Sequence, residues 1–201
     1  MKKAFVILTV LILLACSVFA DETHVIRVTT TVQSKTPTFV LKAGLTPDSF
    51  EKAVSDDETG NVLGWETVEK SIKAEDIVVF FEIIQKSDAR AVGEKYSLNI
   101  EASEMIRILN EDGTPLASDT DIYKTTRGTV SEPTGIGNEK AIVKVTNVKS
   151  TTKDIATIVA EYTGKVTDGT PIAKFTVTWA KDTNAPDGIY QASVVLKVSK
   201  Q

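Results

Sequence analysis

The most regular hydrophobic pattern in the chain lies at its end. From Ile189 to Val198, apolar side chains recur at alternate positions, and Pro186-Asp187-Gly188 comes just before them. A period of two over about ten residues is typical of a strand with one buried face, and Pro-Asp-Gly favours a turn. The buried face of this last strand is predicted to carry Tyr190, Ala192, Val194, Leu196 and Val198.

A matching pattern lies near the other end of the chain. Between Ile26 and Gln33, apolar or β-branched residues alternate with polar ones, which predicts another amphipathic strand. Because cross-strand side-chain contacts stabilise sheets, we expect these two strands to pair with each other. The apolar face of the first strand is predicted to carry Ile26, Val28, Thr30 and Val32.

Strand patterns also fill most of the chain between these ends, at intervals of about 8–14 residues. The longest apolar run, Ile77 to Gln85, predicts a central strand buried on both faces. The other predicted strands cover residues 38–41, 96–100, 105–109, 121–125, 141–148, 155–162 and 172–179. About ten strands separated by turn residues predict an all-β sandwich.

One segment, Gly44 to Asp76, has no clear period. Thr46-Pro47-Asp48-Ser49 suits the start of one short helix, because proline is favoured at the first helical position. Trp65 to Ala74 fits neither a helix nor a strand pattern. We therefore expect an irregular loop segment here, with at most one short helix.

Residues 1–20 have the composition of a secretory signal peptide. Two lysines precede an apolar core from Phe5 to Leu14, and Val18-Phe19-Ala20 fits a cleavage site. Leu13-Leu14-Ala15-Cys16 also resembles a lipobox, in which the cysteine would be lipidated and become the first residue. Both interpretations predict export, to the cell surface, the periplasm or the outer membrane.

The chain offers little material for catalysis or nucleic-acid binding. Its formal net charge is −4, and no basic cluster stands out, which argues against nucleic acid. His24 is the only histidine and lies near the predicted mature terminus, where an imidazole would not be rigidly held. Acidic pairs such as Asp56 and Asp57 lie in predicted loops rather than in an aromatic cleft suited to sugars. We therefore predict that the protein is not an enzyme.

One loop has the composition of a cation site. Asp182 to Gly188 resembles a calcium loop, which places oxygen ligands at alternate positions before a glycine. Here Pro186 stiffens the loop and the last acidic residue comes one position late, so a plain turn explains the same residues. We predict neither a bound metal nor another cofactor.

Together, the two terminal strands resemble those of chaperone–usher fimbrial subunits. The closest resemblance is to the alternate class, which includes colonisation-factor pilins and lacks a disulfide; the only cysteine of this chain is Cys16. The resemblance implies an immunoglobulin-like β-sandwich over residues 37–201 that lacks one strand. Residues 21–36 would then form a donor-type strand in front of this domain.

In that family a periplasmic chaperone fills the gap first, and the next subunit then adds its N-terminal strand. The resemblance therefore implies like subunits, a chaperone and an outer-membrane usher as partners, and a host receptor for adhesion. The implied donor side chains are Ile26, Val28, Thr30 and Val32. The implied groove and chaperone-facing last strand carries Gly188, Tyr190, Ala192, Val194, Leu196 and Val198.

The same pattern has an alternative interpretation. Both terminal strands could belong to a complete sandwich and pair within one molecule. The protein would then be a self-contained periplasmic or outer-surface binding module, lipid-anchored if Cys16 becomes the first residue. The two interpretations differ in whether the first strand completes its own sheet or that of a neighbour.

Overall fold

A computed structural model describes residues 25–33, 39–50, 52–53, 64–85, 93–136, 143–148, 150–163 and 170–201. The predicted signal peptide with Cys16, His24, and the acidic pair Asp56 and Asp57 lie outside these ranges. None of the described residues belongs to a helix long and apolar enough to cross a membrane.

Fourteen strands form within the described ranges. They are β1 (Val25–Gln33), β2 (Phe39–Gly44), β3 (Lys52–Ala53), β4 (Gly64–Glu69), β5 (Ile77–Gln85), β6 (Lys95–Ala102), β7 (Glu104–Leu109), β8 (Lys124–Arg127), β9 (Thr129–Val130), β10 (Thr134–Gly135), β11 (Val143–Val148), β12 (Ile155–Tyr162), β13 (Thr170–Trp179) and β14 (Ile189–Lys200). A single 3-10 turn at Asp119–Asp121 completes the secondary structure of these ranges.

The strands form two sheets that enclose one hydrophobic core. The first sheet has the order β11-β12-β6-β14-β1-β4, with β7 paired to β14 and β8 paired to β7. The second has the order β10-β13-β5-β2-β3, with β9 paired to β13. The largest fully buried side chains include Tyr162 and Tyr190 from the first sheet and Phe39, Phe81 and Trp179 from the second. The predicted immunoglobulin-like, all-β sandwich is therefore confirmed in its architecture.

β14 is an interior strand of the first sheet. Its second half, Val194 to Lys200, is antiparallel to β6, and its first residues are antiparallel to β7. β6 and β7 thus act as two halves of one long strand that is interrupted at Ser103. On its other side β14 pairs with β1. The last strand is therefore held by hydrogen bonds on both of its edges.

The interruption at Ser103 links the two sheets. The Ser103 N–H donates to the Ser193 carbonyl (2.9 Å), and the Ser193 N–H donates to the Ser103 hydroxyl (2.9 Å). The Ser103 carbonyl accepts from the Gly128 N–H (3.1 Å) and from Nε1 of the buried Trp179 indole (2.8 Å). These bonds satisfy polar groups that the break in the strand would otherwise leave unpaired.

β5 lies at the centre of the second sheet, between β13 and β2, as its length predicts. Its inner face is buried, and Phe81 stacks on Phe175 of β13 with ring centroids 5.0 Å apart. Its outer face is only partly buried, at Val78, Phe80 and Glu82. The prediction that both faces are buried was wrong, since this sheet is antiparallel and such sheets commonly keep one solvated face.

The segment Gly44 to Asp76 contains two strands in its described part. β3 pairs with β2, and β4 pairs with β1 at the end of the first sheet. An isolated bridge joins Thr46 to Ser49 where the short helix was expected. The sequence does not reveal β4, because Trp65 and Val68 are three positions apart and break the strand period.

Gly128 is expected to tolerate no side chain. A Cβ there would lie 2.6 Å from Val177 Cγ1 and 2.8 Å from Trp179 Cε2. Gly128→Ala should therefore lower the free energy of unfolding by about 1–3 kcal/mol, the usual cost of overpacking. Urea unfolding measures the loss, and Thr129→Ala at the exposed next position should change it by less than about 0.5 kcal/mol. Equal losses in the two variants would contradict this packing.

Candidate functional site at the seam of the first and last strands

The two strands singled out by the sequence lie side by side. β1 runs parallel to β14 over eight paired positions, from Ile26 opposite Tyr190 to Gln33 opposite Lys197. We call this ladder the seam. The predicted pairing of the terminal strands is confirmed, and it occurs within one molecule. The predicted apolar faces are in register, with the pairs Val28–Ala192, Thr30–Val194 and Val32–Leu196.

The inner face of the seam belongs to the core. Ile26 and Val28 of β1 are both 0% exposed, and Val198 near the end of β14 is partly buried against the core. Fully burying a large aliphatic side chain contributes roughly 1.5–3 kcal/mol. β1 therefore stabilises the sandwich rather than merely covering it. The buried positions of β14 are Ile189, Tyr190, Ala192, Val194 and Leu196.

β1 is an interior strand. On the side away from β14 it is antiparallel to β4, from Val25 opposite Glu69 to Thr30 opposite Gly64. Removing β1 would leave a row of unpaired backbone groups on both neighbouring strands. The position on β14 that a donor strand would take is thus occupied by the β1 strand of the same chain.

Gly188 lies just before the seam and contacts β7 rather than β1. Its φ is +155°, and a Cβ there would lie 2.5 Å from Arg107 Nε and 2.6 Å from the Leu109 carbonyl oxygen. Glycine therefore allows the chain to approach β7 closely at the start of β14. Of the residues predicted to mark the groove, Gly188 and Val198 lie outside the β1–β14 register, one before its start and one after its end.

A polar cavity of about 490 Å³ opens at this end of β14. One wall is a turn whose Asn110 amide donates to Thr114 Oγ1 and to the Pro115 carbonyl, each at 3.0 Å. Nη2 of Arg107 donates to Asn110 Oδ1 at 3.0 Å. No pattern in the sequence indicates this cavity, because its residues come from separate elements and share no period. The lining residues are Arg107, Asn110, Glu111, Asp112 and Asp187.

The carboxylates of the calcium-like loop contact protein groups. Asp182 accepts from the Tyr123 hydroxyl (2.8 Å) and from the Asn184 N–H (3.0 Å), and Asp187 forms an ion pair with Lys73. Nowhere in the described ranges do three or more His, Cys, Asp or Glu side chains form a group able to hold a metal ion. These contacts explain the loop as a turn tied to neighbouring elements.

Two tyrosines at this end favour their protonated forms. Burial raises the pKa of Tyr190, with Arg107 acting against this shift and Asp182 adding to it. The Tyr190 hydroxyl donates to the Pro186 carbonyl at 2.6 Å. The hydrogen bond to Asp182 raises the pKa of Tyr123. Each phenol therefore stabilises the fold only while it keeps its proton.

The chain matches no family model and no curated protein. Among solved structures it is similar to a chain of a type II cohesin–X-dockerin complex from Acetivibrio cellulolyticus, at 14% identity and a TM-score of 0.30. The alignment covers 53% of this chain and 64% of that chain, which is less than two thirds of its length. A similarity of this size has no bearing on function.

Truncating a buried side chain of the seam should lower the stability of the fold. Ile26→Ala removes a fully buried side chain and is expected to lower the free energy of unfolding by about 2–5 kcal/mol. Ser199→Ala, which changes an exposed residue of β14, should cost less than about 0.5 kcal/mol. Denaturant unfolding at a concentration where the protein is monomeric measures both. A loss no larger than that of Ser199→Ala would show that β1 does not fill this sheet in solution.

The raised pKa of Tyr190 predicts a loss of stability in alkaline solution. In the unfolded chain the phenol ionises near its ordinary pKa of 10, whereas the folded protein holds the proton to higher pH. The contribution of this group is therefore complete below pH 10 and is lost as the pH rises above it. The free energy of unfolding should fall more steeply there for the native protein than for Tyr190→Phe. Parallel pH profiles for the two proteins would refute the assignment.

Proposed function

We propose that the protein is an exported, non-catalytic β-sandwich that acts as a self-contained binding module at the cell surface or in the periplasm. The observation that carries this proposal is the position of β1, which pairs with β14 and β4 of the same molecule. With Ile26 and Val28 buried in its own core, the sandwich needs no partner strand. Its surface is then available for recognition.

The roles of the acidic residues support a function without catalysis. Arg127 binds Asp154 (2.6 Å) and Glu104 (3.3 Å). It lowers the pKa of Asp154, and a backbone hydrogen bond together with Arg127 lowers the pKa of Glu104. Glu101 pairs with Lys197 of β14 at 2.7 Å. Glu104 and Asp154 are therefore ionised near neutral pH and are not poised to act as general acids there.

The polar cavity near Gly188 is the surface feature best suited to recognition. Its Asn110 wall is fixed by hydrogen bonds, and Asp187 is held by Lys73. A rigid wall loses little conformational entropy on binding. The lining contains charged groups of both signs, from Arg107 and from acidic residues, which suits a polar partner surface.

A second candidate is strand exchange between like subunits, as the resemblance to chaperone–usher fimbriae implies. The observation that favours it is that β1 is the first strand of the described chain and pairs through the seam with the last. An identical strand from another copy would find the same partners, and exchange of an identical element is a low-cost route to assembly. The donor residues would then be Ile26, Val28, Thr30 and Val32, with a chaperone and an usher as further partners.

The association state of the mature protein, residues 21–201, separates these two candidates. The self-contained module should be a monomer in native mass spectrometry, with the backbone N–H groups of residues 26–33 protected from hydrogen exchange. A labelled peptide of residues 21–33 should not enter the folded protein, because the seam is already filled.

Stable oligomers that incorporate this peptide would overturn the self-contained module and favour strand exchange. The matched control is the same peptide with Val28→Asp, which would bury an unpaired carboxylate. Equal uptake of the two peptides would show that they associate with the protein non-specifically, and it would not support strand exchange.

A further inference from the structure

We propose that the seam is a mechanical clamp, which lets the folded module bear tension applied along its own chain. The seam consists of residues 26–33 of β1 paired in parallel with residues 190–197 of β14. This inference goes beyond the binding role, because it depends on where the chain enters and leaves the sheet and not on any partner.

The direction of pairing decides how tension acts on the seam. The chain enters β1 at Val25, beside the start of β14, and leaves β14 at Lys200, beyond the far end of β1. Tension on the flanking chain therefore pulls the two strands past each other along their axes. Because this load acts along the strands, the evenly spaced hydrogen bonds of the parallel ladder share it. In an antiparallel pair the two points of pulling would lie at the same end of the ladder, and its hydrogen bonds would open one after another.

Neither strand can leave without shearing a second ladder. β1 also pairs with β4 over six positions, from Val25 to Thr30. β14 pairs with β6 and β7 on its other side, and the Ser103–Ser193 hydrogen bonds lie between these two ladders. Whichever strand moves, the load falls on two rows of hydrogen bonds rather than on one.

The buried side chains oppose the same sliding motion. A shift of β1 by one position would turn Ile26 and Val28 from the core to the opposite face. β1 therefore cannot slide along β14 by one residue at a time. To move, it must lose its pairing along the whole seam. At the start of β14, Gly188 lies close to Arg107 and Leu109 of β7, which also limits displacement of that strand.

The sequence makes the pulling geometry easy to control. Cys16 is the only cysteine and lies in the predicted signal peptide, so the mature chain can be given one attachment thiol without competition. Thr183 is exposed in the loop before β14, at the same end of the seam as the start of β1. A thiol at residue 183 therefore allows a load that opens the seam from one end.

Single-molecule force spectroscopy tests the clamp by comparing two directions of pulling. The mature protein, residues 21–201, is held first at its two ends and then at its N-terminus and the thiol of Thr183→Cys. The first geometry shears the seam, and the second opens it bond by bond. We expect a several-fold higher unfolding force in the first.

Equal forces in the two geometries, or a lower force between the two ends, would overturn the clamp. Thermal unfolding of Thr183→Cys must match that of the native protein, so that a difference in force reports direction and not stability. If that variant is destabilised, Asn184→Cys, which is also exposed in this loop, takes its place. Because both geometries use the monomer, failure of the clamp leaves the binding proposal intact.

Discussion

The parallel pairing of β1 with β14 is the interaction on which the rest of the structure depends. It makes the last strand interior, attaches β4 to the first sheet and places Ile26 and Val28 in the core. It also joins the two ends of the described chain, so it closes the largest loop in the fold. The entropy of closing so long a loop is offset only after the intervening strands have formed their sheets. This favours a folding order in which the seam closes late.

On the side away from β1, β14 is held by its pairing with β6 and β7. β14 pairs first with β7 and then with β6, and the chain that joins these two strands is interrupted at Ser103. The Trp179 indole from the second sheet binds the Ser103 carbonyl at that break, so strand pairing and sheet packing are coupled at one residue. The same packing explains why residue 128 is a glycine, because its backbone lies against Trp179 with no room for a side chain.

Alternation along the chain was enough to predict β14, β6 and β12, because in each of them buried and more exposed side chains alternate. It also predicted β1, whose Ile26 and Val28 lie in the core. It could not predict β4, whose apolar residues break the period, or the polar cavity, whose residues meet only in the folded chain. It also could not show that the seam is parallel. A strand buries the same alternate residues in either direction, so direction is fixed by topology and leaves no local trace in the sequence.

The same reasoning explains why the sequence left two functions open. A strand that completes its own sheet and one that completes a neighbour's sheet need identical residues. What separates them is concentration: a tethered β1 faces its own β14 at an effective concentration that a free copy rarely reaches. An isolated chain therefore closes on itself, as β1 does here. Strand exchange would require another protein to hold the groove open during folding, so the closed module is the state that this chain reaches alone.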